Sequence, residues 1–360
     1  MKYNHLRETN ENVEGMAMKD QNKQTVLVTG GTGFVAGWAI YELLKRGYRV
    51  RTTVRSKEKE LLIRKMIQGI GIDTSPLSFY IAELTSDEGW NQAMAGVEYV
   101  LHIASPLVAG DHDDLNAFVI PARDGALRVL RSAVNANVGR VVMTSSLAAA
   151  TPDISSEDQQ VNESFWSDPN DKNLNSYRKS KAIAEKAAWD FMKETPCKTT
   201  LATILPGAIF GSFLSASVPR SIEVIQKLVQ GGGPGNPKIG FEIVDVRDLV
   251  DLHIRAMTEP KASGQRYIAS SGYMRLVDMA KFLKQELGEA GKKITTRSIP
   301  DLVLKNAAKL NPSLASLVPM LGRKFRYTSE KARSELGWNP RPAEETVLDS
   351  AKKLIESHLI

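Results

Sequence analysis

Thr25-Val-Leu-Val-Thr-Gly-Gly-Thr-Gly-Phe-Val-Ala-Gly37 decides the fold class of this 360-residue chain. Val26, Leu27 and Val28 form a short apolar run, as expected of a strand buried on both faces of a parallel sheet. A glycine-rich turn follows at once. Beyond it a helical pattern carries Ala39, Leu43 and Leu44 and ends near Arg46-Gly47. Strand, glycine turn and helix in this order are the context a dinucleotide-binding loop needs. Gly30 permits the tight turn, Gly33 lets the backbone approach a pyrophosphate, and Ala36 is small enough for close helix–strand packing. Thr29, Gly30, Gly33, Phe34 and Val35 are therefore expected to border the cofactor.

Moving outward, Tyr48-Arg-Val-Arg-Thr-Thr-Val54 reads as a second strand that ends at Arg55. A carboxylate at this place would hold the ribose hydroxyls of NAD, whereas an arginine accommodates the 2′-phosphate of NADP. Arg55, supported by Lys57 and Lys59, points to NADP(H), because a guanidinium matches phosphate as a fork. The plain alternative is a solvated basic loop. Phe79 to Leu84 reads as a third strand whose end, Glu83-Leu84, is expected beside the adenine. Val97 to Pro106 reads as a fourth, with Ile103, Ala104 and Ser105 passing close to the cofactor and His102 a satisfied core residue. Gly139 to Ser146 is the next strand. Ligands of an open parallel sheet bind outside the carboxyl ends of its strands, so Ser145 or Ser146 is at the right end to hydrogen-bond a substrate carbonyl.

Tyr177 and Lys181 lie four residues apart on a segment that reads as a helix from Tyr177 to Lys193. That spacing puts both side chains on one face. An ammonium near a phenol favours the phenolate and so makes a general acid/base of it. A surface aromatic beside a solvated lysine is the bland alternative. Further on, Thr199 to Leu205 reads as a sixth strand closed by Pro206-Gly207, Ser217 to Val229 as a helix, and Gly231 to Pro237 as a loop. Phe241 to Asp248 is expected to return the chain to the sheet, with Asp248 as the N-cap of the helix that follows. Gly264 to Ala269 reads as a strand, Val277 to Leu287 as a helix, and Leu302 to Leu321 as helix and apolar turns over a pocket. Trp166 is either a wall of the site or a packing anchor.

Together these residues resemble the extended short-chain dehydrogenase/reductase superfamily, and within it the dihydroflavonol-reductase and fungal aldehyde/carbonyl-reductase branch. The stretches that carry the likeness are Val28 to Ala36, Arg46 to Arg55, His102 to Pro106, Thr144-Ser-Ser146, Glu163 to Asp168, Tyr177 to Glu185 and Asp245 to Asp248. The resemblance implies a Ser146–Tyr177–Lys181 triad, with Ser145 as the nearer fallback. It implies that tyrosine protonates the carbonyl oxygen, serine fixes it, and lysine binds the nicotinamide ribose. It places Pro206 and Ile209 near the nicotinamide. Two positions depart from the family. Arg128 stands where some members carry a relay asparagine, and Thr151 stands where flavonoid reductases carry a substrate-contacting asparagine.

The expected architecture is α/β: a Rossmann-type doubly wound parallel sheet over 24–206, completed by 240–260, with a smaller C-terminal substrate domain from 207–239 and 261–360. Residues 1–23 are polar and are expected to form a disordered leader. No apolar run approaches the length of a membrane span, and no signal peptide is evident. Cys197 is the single cysteine, so no internal disulfide forms, in keeping with a reducing, cytoplasmic setting. The net charge of +6 is spread along the chain and has no nucleic-acid motif behind it. No metal-ligand spacing occurs. The expectation is thus an NADP-dependent carbonyl reductase acting on a small-molecule carbonyl substrate, as a monomer or homodimer. The alternatives are a sugar-nucleotide epimerase or dehydratase of the same superfamily and a non-catalytic NADP-sensing protein.

Overall fold

The computed structural model describes residues 24–106, 115–153, 159–171, 174–309, 317–322 and 325–360. The expected leader, residues 1–23, and part of the expected pocket cover, residues 310–316, lie outside them.

Seven parallel strands form the main sheet: β1 (Thr25–Val28), β2 (Arg49–Val54), β3 (Leu77–Ile81), β4 (Tyr99–His102), β5 (Arg140–Thr144), β7 (Thr200–Pro206) and β10 (Gln265–Ala269). Their order is β10-β7-β5-β4-β1-β2-β3. Strand side chains alternate faces, and each face has its own core. Val26 and Val28 pack on one side, while Leu27 faces the other. The first face is covered by α1 (Phe34–Lys45), α2 (Glu58–Gln68) and α7 (Val246–Thr258). The opposite face is covered by α3 (Trp90–Met94), α4 (Leu115–Asn135) and α5 (Ser176–Glu194). A sheet buried on both faces accounts for the continuous apolar runs that mark its strands in the sequence.

The chain reverses its direction of travel across the sheet between β1 and β4, which are hydrogen-bonded neighbours. That switch point opens a crevice above the carboxyl ends of the two strands.

A second sheet contains β8 (Ala208–Phe210), β9 (Gly240–Asp245) and β11 (Gly272–Arg275) in the order β11-β9-β8. The Phe241–Asp245 segment, expected in the main sheet, belongs here: β9 pairs parallel with β8 and antiparallel with β11. The strand expected at Gly264–Ala269 instead takes the edge of the main sheet beside β7. Both segments are apolar and short, and partner choice is a long-range property that neither segment encodes. A separate core of Phe210, Phe213, Ile225, Ile243, Met279 and Val347 holds α6 (Glu223–Gln230), α8 (Leu276–Glu286) and α9 (Ala343–Glu356) to this sheet. A two-stranded parallel ribbon joins β6 (Gln160–Val161) to β12 (Arg326–Tyr327).

The helix expected from Ser217 begins only at Glu223. The N-cap of α7 is Asp245, whose carboxylate accepts the Arg247 N–H at 2.8 Å; the expected cap, Asp248, lies inside the first turn and meets Arg341. An Asx cap accepts from an N–H two or three residues on, so Asp-x-x-Asp in Asp245-Val-Arg-Asp248 offered two choices.

Candidate active site

The glycine loop is built from backbone and held by threonines. Gly30 has φ of 73°, and its N–H donates to Thr53 Oγ1 at 2.9 Å. A Cβ at Gly31 would lie 2.4 Å from Thr52 Oγ1, so only glycine brings the turn this close to β2. Gly33 is the N-cap of α1, and no side chain caps that end. The first turn, which includes Phe34 and Val35, contains no acidic residue. An uncapped helix start with its N–H groups free favours an anion. These features fit the pyrophosphate of a dinucleotide.

The Thr29 side chain is turned into the protein. Its Oγ1 accepts the N–H groups of Ile103 at 3.0 Å and Ala104 at 2.9 Å, and lies 3.0 Å from His102 Nδ1. The hydroxyl is thus consumed in stitching the end of β1 to the end of β4. A hydroxyl has one proton and two lone pairs; with both lone pairs taken, its proton goes to Nδ1, which leaves the imidazole proton on Nε2. His102 is fully buried, and burial followed by the charge of Lys181 lowers its pKa to about 3. It is the satisfied core histidine expected, and it is neutral.

Arg55 and Lys59 are exposed, just past β2 and at the start of α2. Neither forms an ion pair among the described residues. Strand β3 ends at Ile81, so Glu83 and Leu84 fall in the loop beyond it, Glu83 exposed and Leu84 half-buried. The Glu83 carbonyl accepts the Trp90 indole N–H at 3.0 Å. Arg128 reaches across from α4 to the Leu84 carbonyl and to Asp87. It therefore fastens this loop. Pro206 ends β7, and Ile209 lies half-buried in β8 of the second sheet, paired with Val244.

Helix α5 starts at the N-cap Asn175, whose Oδ1 accepts the Arg178 N–H at 2.9 Å. Such a cap contributes about 1 kcal/mol, and it places Tyr177 in the first turn, half exposed. Lys181 Nζ lies 5.9 Å from the centre of the Tyr177 ring and donates to Ser105 Oγ at 3.0 Å. The structure thus joins the helix pair to the end of β4, across the crevice. Ser146 caps the 3-10 turn Leu147–Ala149, its Oγ accepting the Ala148 N–H at 3.1 Å. That turn packs directly against α5. With a lone pair so used, the Ser146 O–H remains available as a donor. Ser145 is excluded from such a role. It is buried, and its Oγ donates to Glu185 Oε2 at 2.6 Å.

Glu185 is the residue that sequence reasoning passed over. Fully buried on α5, it also accepts from Thr203 Oγ1 at 2.7 Å and from the Arg266 guanidinium at 2.8 Å. The Arg266 guanidinium in turn lies over the Trp166 ring, 3.6 Å from its centre. The available signal was a carboxylate four residues beyond Lys181, on the face that otherwise buries alanines. Thr151 is buried as well; its Oγ1 donates to the Leu147 carbonyl at 2.9 Å.

The profile of the NAD dependent epimerase/dehydratase family matches residues 26–269, more than half of the chain. The chain belongs to this family. As an epimerase/dehydratase-family member it is an extended short-chain dehydrogenase/reductase, and its curated relatives are reductases. It is 33% identical to anthocyanidin reductase of Vitis vinifera over 282 residues, covering 73% of this chain and 81% of the relative. With dihydroflavonol 4-reductase of Gerbera hybrida the identity is 31%, covering 76% of this chain and 75% of that one. Among solved structures, yeast methylglyoxal/isovaleraldehyde reductase Gre2 complexed with NADPH superposes with a TM-score of 0.78 at 25% identity, covering 94% of this chain and all of that one. Gre2 from Candida albicans, also with NADPH, gives 0.78 at 27% identity, covering 93% of this family member and 99% of its own chain.

No group of three or more metal-ligating side chains occurs among the described residues, and no described helix is long and apolar enough to cross a membrane.

Proposed function

We propose that this chain is an NADP(H)-dependent carbonyl reductase that converts aldehydes and ketones to alcohols, and runs reversibly as an alcohol dehydrogenase. The observation that carries the reading is the place of the Lys181 ammonium, between the Tyr177 ring and the Ser105 hydroxyl at the crevice. When bound, the nicotinamide supplies the hydride to the carbonyl carbon. The Ser146 O–H holds the carbonyl oxygen, and the Tyr177 phenol gives that oxygen its proton. The Lys181 ammonium beside the ring offers a counter-charge to the phenolate left behind. Donors already in place where negative charge develops cost no reorganisation. The pyrophosphate fits the uncapped start of α1, and Arg55 with Lys59 fits a 2′-phosphate.

Small aldehydes and ketones are favoured over flavonoids. The Thr151 hydroxyl is spent inside the protein on the Leu147 carbonyl, so it offers no polar contact to a flavonoid ring. The reading is supported by the reductase relatives and by the NADPH complexes of the Gre2 neighbours.

Oxidation of NADPH against a panel of aldehydes, aryl ketones and β-keto esters, with NADH in parallel, tests it. Tyr177→Phe is expected to lose about 100-fold or more of kcat while binding NADPH normally. A Tyr177→Phe protein that keeps most of its activity overturns the mechanism.

A further inference from the structure

Lys181 approaches the crevice from α5, and Ser105 approaches it from the other side, just past the end of β4. The two backbones are anchored separately. Helix α5 is held from beneath by the buried Glu185, which meets Ser145, Thr203 and Arg266. The segment after β4 is held by the glycine turn. Thr29 Oγ1 accepts the N–H groups of Ile103 and Ala104, and a Cβ added at Gly30 would lie 2.9 Å from the Ala104 Cβ. Ser105, the next residue, therefore takes its place from the loop that fits the pyrophosphate.

Neither anchor reaches the Lys181 ammonium, which ends a flexible stem and stays in one place only where acceptors hold it. Nζ donates to Ser105 Oγ at 3.0 Å and lies 5.9 Å from the centre of the Tyr177 ring. Among the described residues no carboxylate pairs with it and no second acceptor meets it. A hydrogen bond specifies distance and angle, whereas a cation near a ring is attracted over a broad area. The point at which Nζ rests is thus set by one hydroxyl.

We propose that Ser105 is a positioning residue that acts through Lys181: its hydroxyl holds the ammonium in the place from which it serves both the Tyr177 phenol and the ribose of the dinucleotide. The inference rests on the proposed function. An ammonium ordered before the dinucleotide arrives has little rotamer freedom left to lose on binding, and this raises affinity. Ser105 is exposed, so water competes for Nζ while the crevice is open. A dinucleotide displaces that water, and the hydroxyl then supplies the hydrogen bond that Lys181 would otherwise lack. The glycine loop in this way orients Lys181 through Thr29, the Ile103–Ala104 backbone and Ser105.

The test is a double-variant cycle on the full-length protein, read as the Kd for NADPH by fluorescence titration. Ser105→Ala should raise that Kd about 3- to 10-fold, the contribution of one hydrogen bond. Ser105→Thr keeps the hydroxyl and should restore most of the affinity. Lys181→Met keeps the stem and removes the charge. Added to Lys181→Met, Ser105→Ala should change Kd by less than about 2-fold, because the group it acts on is gone. An undiminished loss in the methionine background would mean that Ser105 touches the cofactor directly or only shapes its loop, and overturns the proposal. So does an unchanged Kd in Ser105→Ala, or an equal loss in Ser105→Thr. The readout does not depend on turnover: NADPH binding without reduction of any carbonyl sinks the functional reading and leaves this cycle readable.

Discussion

Glu185 and Arg266 form a buried two-pronged ion pair beneath the helix that carries Tyr177 and Lys181: Nε to Oε1 at 2.8 Å and Nη2 to Oε2 at 3.1 Å. The pair ties α5 to the edge strand β10, and the same carboxylate takes the hydroxyls of Ser145, just past the end of β5, and Thr203 on β7. Arg266 also donates to the carbonyls of Glu163 and Phe165, both at 2.7 Å. One carboxylate thus sets the depth of α5 against three neighbouring strands.

Breaking that pair from one side leaves an uncompensated buried charge, at about 3–5 kcal/mol. Glu185→Gln and Arg266→Met should each lower stability by that order in chemical denaturation. The double variant should cost less than the sum of the two, because neither charge is then stranded. Simple additivity would show that the two side chains do not act as a unit.

The two adjacent serines should separate cleanly. In the proposed mechanism Ser146→Ala removes the donor to the reacting oxygen and is expected to lower kcat about 100-fold or more, while loss of its cap on the Leu147–Ala149 turn costs about 1 kcal/mol. Ser145→Ala removes a hydrogen bond to a buried carboxylate and should cost about 1–3 kcal/mol of stability with kcat largely kept. Steady-state kinetics and denaturation of both variants check this, and a reversed pattern would reassign the triad.

Cofactor preference should follow Arg55. A charge-assisted hydrogen bond contributes about 1.5–3 kcal/mol, so Arg55→Asp should raise the KM for NADPH about 10- to 100-fold relative to that for NADH. An unchanged ratio of the two constants would return Arg55 to the role of a solvated loop residue.

Two buried histidines predict a loss of stability in acid. Burial lowers His102 from 6.5 to about 3 and His253 from 6.5 to about 4. Both are neutral in the fold and protonated in the unfolded chain below 6.5, so the unfolded state binds more protons there. Each contribution is complete above pH 6.5 and is lost as pH falls through the folded value. The slope is about 1.4 kcal/mol per pH unit for each histidine. Urea unfolding at several pH values between 7 and 4 measures it. His253→Gln, which retains a partner for Thr144, should flatten part of the slope.

Much of this was legible in the residues because the signals are local. The glycine turn after Val28, the apolar runs of strands buried on both faces and the four-residue spacing of Tyr177 and Lys181 each depend on neighbours close in the chain. Element ends were less legible: Asp245 and Asp248 each offer a capping carboxylate, and only the fold selects between them. The partners of the Thr29 hydroxyl were not legible, because they lie 73 to 75 positions away.

The amino-acid sequence by itself determined the sheet class, the dinucleotide loop and the pairing of phenol with ammonium, since backbone conformation and helical phase are properties of short segments. Only the tertiary structure decided which of two serines keeps a free O–H, which strand joins which sheet, and where the buried charges of Glu185 and Arg266 come to rest. Those outcomes turn on desolvated hydrogen bonds between distant segments, and a buried polar group has no sequence signature until its partner has been brought to it.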